Sequence, residues 1–223
     1  MFVAAAAVAQ PKAAEAPMNV LQLSAEGSVE VQQDLLSITL RASKNGTDAA
    51  AVQAELKQAL DTALAALRPE AVPGQMDVRT GNFNVHPRYT RDGGINGWEG
   101  NAEVVLQGSD FPRVTQAAGR VSALTVGNVS FSLSPQATAK AETEAQSLAI
   151  AAFKKKADEL AKGFGFSGYT LREVSVNQAG SPMPKVMAMR APMAASASAD
   201  APVPVEPGKT SVVVNINGSV QLK

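Results

Sequence analysis

The segment that decides the fold comes last, from Pro204 to Lys223, and reads PVEPGKTSVVVNINGSVQLK. After the turn residues Pro207 and Gly208, apolar and polar side chains alternate almost to the end of the chain. The residues predicted on the apolar face are Val212, Val214, Ile216, Gly218, Val220 and Leu222. A period of two is typical of a strand with one buried face, so we expect a sheet that contains this segment.

The remainder of the chain alternates between strand and helix patterns. Strands are predicted around residues 20–31, 35–42, 78–85, 102–106, 129–133 and 169–176, and helices around 48–67, 110–124 and 137–162. Asp48 and Asp110 stand at N-cap positions, and the third helix is predicted to place Phe153 and Phe164 on its apolar side. This order predicts an α+β fold, in which antiparallel sheets carry three helices mainly on one face.

Composition excludes several classes of function. The chain has no cysteine, which excludes disulfides, thiolate metal sites and cysteine nucleophiles. Twenty basic residues balance twenty acidic ones, and this balance argues against a nucleic-acid partner. No apolar run reaches the roughly 18 residues of a transmembrane helix.

The first 17 residues carry the pattern of an export signal. Phe2 to Val8 is a short apolar stretch, and Ala7-Val8-Ala9 is typical of a signal-peptide cleavage site, although a positively charged start is missing. We interpret residues 1–17 as a signal-peptide remnant; the alternative is a disordered, alanine-rich tail. The expected location is periplasmic, or otherwise exported.

A segment without periodicity, at about residues 179–204, is predicted to be a flexible loop rich in methionine, proline and alanine. Four of the seven methionines lie in it: Met183, Met187, Met189 and Met193. Thioethers suit Cu(I) and oxidise reversibly, so one hypothesis is a soft-metal or oxidant-buffering loop. The alternative is that methionine serves as an adaptable side chain in such a loop.

No set of residues predicts a catalytic site. His86 is the single histidine, and its setting in a strand, without an identifiable partner, favours an exposed hairpin residue over a triad or metal ligand. Glycines at 93, 94 and 97 lack the context of a phosphate-binding loop. The run Lys154-Lys155-Lys156 has Asp158 and Glu159 one helical turn later, which indicates a solvated helix face.

Several phrases resemble the SIMPL-domain family of bacterial envelope proteins, which includes a periplasmic immunogenic protein. The matching phrases are Ala25-Glu26-Gly27, Gln33-Asp34, residues 78–89, Ile95 to Trp98, Val129 to Ser134 and Val205 to Gly208. Ala25 stands where the family has glycine, Gln33 where it usually has proline, and Trp98 where tyrosine is usual. The match covers about residues 20–222, so we expect a SIMPL-like domain over residues 18–223.

The resemblance implies a periplasmic or envelope-associated protein that forms homo-oligomers, in a family with ring-like or channel-like assemblies and links to oxidative stress resistance. It supplies no catalytic residue and no cofactor. The expected function is therefore non-enzymatic and depends on assembly, with peripheral envelope association and no nucleic-acid partner. Cu(I) binding or oxidant buffering by the methionine loop is the alternative.

Overall fold

A computed structural model of the 223-residue chain describes residues 18–178, 183–184 and 206–223. The three α-helices of these residues are α1 (Ala49–Leu67), α2 (Phe111–Gly119) and α3 (Pro135–Gly163). The strands are β1 (Val20–Gln32), β2 (Leu35–Gly46), β3 (Asp77–Tyr89), β4 (Ile95–Gly108), β5 (Thr125–Ser132), β6 (Tyr169–Gln178), β7 (Met183–Pro184) and β8 (Lys209–Leu222). The predicted α+β fold is confirmed.

Local signals place the helix starts where the sequence predicts them. The Asp48 carboxylate accepts a hydrogen bond from the Ala51 amide (2.8 Å), and that of Asp110 accepts one from the Arg113 amide (3.1 Å). Each side chain satisfies an amide that has no partner within its helix. The second helix is shorter than predicted, because it ends at Gly119 rather than near residue 124.

The described residues form two compact units. The larger unit contains residues 29–144, 183–184 and 206–212, and the smaller contains residues 18–28, 145–178 and 213–223. In the larger unit, four antiparallel strands follow the order β3-β4-β2-β5. Helices α1 and α2 share one core with β2 and β4, so both helices cover one face of this sheet, as predicted.

A second sheet has the order β1-β8-β6, and β7 also pairs with β8. The alternation predicted for the final strand is confirmed, because Val212, Val214, Ile216, Val220 and Leu222 are buried. Within the smaller unit, the alanine-rich side of α3 is buried at Ala145, Ala149, Ala157 and Ala161. Small side chains let the helix backbone approach the strands closely.

One core prediction for α3 is wrong. Phe153 is buried, with 3% of its surface exposed, whereas Phe164 is 63% exposed. The helix ends at Gly163, and Gly165 adopts a φ of 83°, a left-handed conformation typical of a helix C-terminus. Phe164 therefore lies beyond the last residue to which the helical period applies.

Candidate functional site

The methionine hypothesis falls mostly outside the described residues. Met187, Met189 and Met193 are not among them, and Met183 begins β7, where it is the register partner of Ser211 in β8. Among residues 18–178, 183–184 and 206–223, no group of three His, Asp or Glu side chains could hold a metal ion. Cu(I) binding by the four methionines stays a prediction.

The residues predicted to be ordinary surface groups are placed as follows. His86 is exposed on β3, and its register partner on β4 is Glu99. On α3, Lys155 and Glu159 form the predicted pair, with their charged atoms 3.9 Å apart. The Lys156 ammonium instead donates to the Ser24 carbonyl in β1 at 3.0 Å, which ties the helix to that strand.

Residues from three of the family-like phrases meet at the start of β2. The Asp34 carboxylate accepts hydrogen bonds from both the amide (2.6 Å) and the hydroxyl (2.7 Å) of Ser134. The side-chain amide of Gln33 donates to the Phe131 carbonyl, and its backbone amide donates to the Gly208 carbonyl, each at 2.9 Å. These motif residues thus join three separate chain segments, which is a structural role.

The Ser134 hydroxyl also accepts a hydrogen bond from the Ala137 amide at 3.1 Å, so it caps α3. Beside this junction is an open cavity of about 720 Å³, lined by Asp34, Asp77, Gln107 and Gln136 among others. Both oxygens of the Asp34 carboxylate are occupied by Ser134. The cavity is therefore bordered by a carboxylate that already serves the helix cap.

A buried carboxylate on β4 was not anticipated from the sequence. Glu103 is 8% exposed, and its Oε1 accepts hydrogen bonds from Nε (3.1 Å) and Nη2 (2.6 Å) of Arg41 on β2. Its Oε2 accepts from the Asn82 amide at 3.4 Å, where the register of β3 shifts between Thr80 and Phe83. The one available signal was a charge between the apolar residues on β4.

We expect Glu103→Ala to lower the free energy of unfolding by about 1–2 kcal/mol, because it removes these charge-assisted bonds beside a bulge. Urea unfolding followed by circular dichroism measures the change. The matched control is Asp61→Ala, which removes an exposed carboxylate whose oxygen lies 3.8 Å from the Lys57 ammonium. The control should change stability by no more than about 0.5 kcal/mol. Equal effects of the two substitutions would contradict the bracing role of Glu103.

Strand β6 carries three exposed large apolar side chains, more than any other described strand. Among the described strands it has one neighbour, β8, so it forms an edge of its sheet. Leu171, Val174 and Val176 are 54%, 44% and 47% exposed. Their register partners on β8 are Val220, Gly218 and Ile216. Val220 and Ile216 are buried, so they lie on the core face of this sheet. Residues directly opposite on neighbouring strands point to the same face, so the three exposed side chains also point to the core face.

The position of α3 explains this exposure. A Cβ atom built on Gly27 of β1 would lie 2.5 Å from the Ala149 nitrogen, and one built on Gly218 of β8 would lie 3.1 Å from Phe153 Cζ. The helix therefore lies over β1 and β8 in the smaller unit, and the apolar face of β6 is left incompletely covered.

At the start of β6, burial and, to a lesser degree, the Asp158 carboxylate raise the pKa of Tyr169.

These features define an α+β protein whose described residues form two antiparallel sheets and expose apolar side chains along one sheet edge, β6. The chain belongs to the SIMPL family, described as a protein of unknown function (DUF541), whose family model matches residues 21–220. A search of curated proteins found no match to the chain. None of the described helices has the length and apolar character needed to cross a membrane.

Proposed function

We propose that the chain is a non-enzymatic protein of the periplasm or cell envelope that works as a homo-oligomer and is linked to resistance to oxidative or envelope stress. The observation that carries the assembly is the β6 edge: among the described strands β6 has one neighbour, and its Leu171, Val174 and Val176 are about half exposed. An edge of this kind is a template for pairing with another chain.

The other parts of the proposal rest on the sequence. The apolar stretch from Phe2 to Val8 and the following Ala-x-Ala pattern support export. The envelope association and the stress link are what the resemblance to the SIMPL family implies, and the family match over residues 21–220 extends that implication to this chain. The structural use of Asp34 and Ser134 in the family-like phrases supports a role for those phrases in folding rather than in catalysis.

Size-exclusion chromatography with light scattering on the full chain tests the assembly. We expect a discrete species whose mass is a multiple of the 23.0 kDa chain and which persists on dilution into the micromolar range. A monomer at every concentration up to the near-millimolar range would contradict the proposal. Osmotic-shock fractionation of expressing cells tests the location, and retention of the protein with the cytoplasmic contents would contradict export.

A further inference from the structure

We propose that β6 pairs with β6 of a second copy of this chain, antiparallel and about a two-fold axis that passes between Arg172 and Glu173. This inference rests on the proposed function and names the surface and register through which two copies meet. The sheet β1-β8-β6 would continue through the axis into the sheet of the second copy. Each β6 would then have neighbours on both sides.

The two edges of this sheet are not equivalent. On β1, Leu23 is buried, and the Ser24 carbonyl already accepts a hydrogen bond from the Lys156 ammonium. On β6, three apolar side chains that point to the core face are about half exposed. A neighbouring strand would cover them, since side chains directly opposite on adjacent strands pack against each other. The observations therefore favour β6 over β1 as the pairing edge.

Edge strand β3 of the other sheet is less suited to pairing. Pro87 lies within it, and its register shifts both between Thr80 and Phe83 and between Arg88 and Tyr89. Proline lacks an amide donor and is typical of edges that do not pair, and the two shifts interrupt the β3 ladder at two places, whereas β6 has one shift. By contrast, β6 contains no proline.

A single shift in the pairing of β6 with β8 determines which β6 residues would lie opposite each other in the proposed dimer. Between Leu171 and Glu173 the pairing with β8 shifts by one residue, which leaves Arg172 as the extra residue. As a consequence, Tyr169, Leu171, Val174 and Val176 all point to the core face, because each lies opposite a residue on that face of β8. A two-fold axis between Arg172 and Glu173 places Tyr169 opposite Val176 of the second copy and Leu171 opposite its Val174.

This register aligns all four core-face residues with core-face residues of the other copy. Shifting it by two residues in either direction aligns only two of them, and a shift by one places apolar side chains opposite polar ones. The proposed pairing therefore buries the most apolar surface that β6 can offer to a second β6. That surface is the one left uncovered by α3.

The same register brings opposite charges together. Arg172 would lie opposite Glu173 of the second copy, and the symmetry repeats this pair on the other side of the axis. Within one chain, the Arg172 guanidinium donates only to the neutral Gln221 side chain among the described contacts, at 3.3 Å. Glu173 has no ion pair among the described residues and lines a small open pocket with Ser175, Asn217 and Ser219. Opposite charges directly across an antiparallel pair stabilise it.

Charge reversal tests the register. Arg172→Glu or Glu173→Arg alone replaces two attractive pairs by two repulsive ones, so each should weaken self-association by about tenfold or more in sedimentation equilibrium. The double variant R172E/E173R restores opposite charges and should return the dissociation constant to within about threefold of the parent value. Circular dichroism of each variant verifies that the fold is retained.

Cysteine cross-linking provides an independent measurement on the full chain, which has no cysteine of its own. Leu171→Cys and Val174→Cys proteins are prepared separately, mixed and oxidised with diamide. We expect a disulfide-linked dimer in the mixture and little in either protein alone. Residue 171 lies opposite residue 174 of the other copy, so two cysteines face each other only in a dimer that contains one copy of each variant. The matched control mixes Leu171→Cys with Val176→Cys, whose side chain is as exposed as that of Val174 but lies two residues out of register.

The outcomes distinguish this inference from the proposed function. An oligomer that is unaffected by either charge reversal and gives no 171–174 cross-link would overturn the β6 pairing and leave assembly through another surface. Equal cross-linking in the test and control mixtures would overturn the register. A monomer at all concentrations would overturn both proposals.

Discussion

Gly27→Val should destabilise the chain by about 3 kcal/mol or more, because it forces a side chain into a contact between two backbones. A Cβ atom at residue 27 would lie 2.5 Å from the nitrogen and 3.1 Å from the Cα of Ala149, and closer still to the Ala145 carbonyl oxygen. These are helix backbone atoms that cannot rotate away. The substitution must push α3 off β1.

Gly163→Ala is the matched control for Gly27→Val. A Cβ atom at residue 163 meets nothing within 4 Å. The control should leave stability unchanged or raise it by up to about 1 kcal/mol, since alanine restricts the unfolded chain more than glycine does. Urea unfolding measured by far-ultraviolet circular dichroism gives both values. A Gly27→Val protein as stable as the control would show that α3 does not approach β1 as described.

Phe153→Ala should lower stability by about 3–5 kcal/mol, as expected for removing a buried aromatic side chain. Phe153 is the one large side chain among the buried residues of α3 in the smaller unit, because the others there are alanines. Small neighbours cannot move to fill the space. The loss therefore combines the transfer free energy of the ring with the cost of a cavity.

The comparison for Phe153→Ala is Phe164→Ala, the same substitution at an exposed site just beyond the helix. It should change the free energy of unfolding by no more than about 0.5 kcal/mol. Hydrogen exchange of the α3 amides, followed for both variants, reports on the helix directly. Similar losses in the two variants would contradict the burial of Phe153 and the exposure of Phe164.

The position of α3 also affects the β6 edge, which is the proposed assembly surface. Because α3 lies over β1 and β8, its position determines how much of β6 remains uncovered. A variant that displaces α3, such as Gly27→Val, is therefore unsuitable for testing β6. The charge and cysteine substitutions at residues 171–174 change exposed positions, and we expect them to leave the core intact.

The elements of the fold could be predicted from local pattern alone. Asp48 and Asp110 mark helix starts because an N-cap acts on an amide two or three residues away. The alternation from Val212 to Leu222 predicts β8 because side chains of a strand alternate between its faces whatever lies beside it. Family membership followed from the order of such phrases along the chain.

Which side chains of these elements meet, and which stay exposed, depended on strand order and on contacts between distant residues. Gln33 and Asp34 bond to Phe131 and Ser134, about 100 residues away, and no periodicity indicates that they meet. The apolar pattern of β6 resembles that of a buried strand, yet its side chains are half exposed because α3 lies over other strands.

The sequence by itself therefore determined which segments are strands and helices, where the helices begin, and which family the chain belongs to, since these properties reside in neighbouring residues. The tertiary structure alone decided that Glu103 is buried, that Phe164 is exposed and that β6 is an edge. Burial depends on which elements pack over a side chain, and packing joins residues that are far apart in the chain.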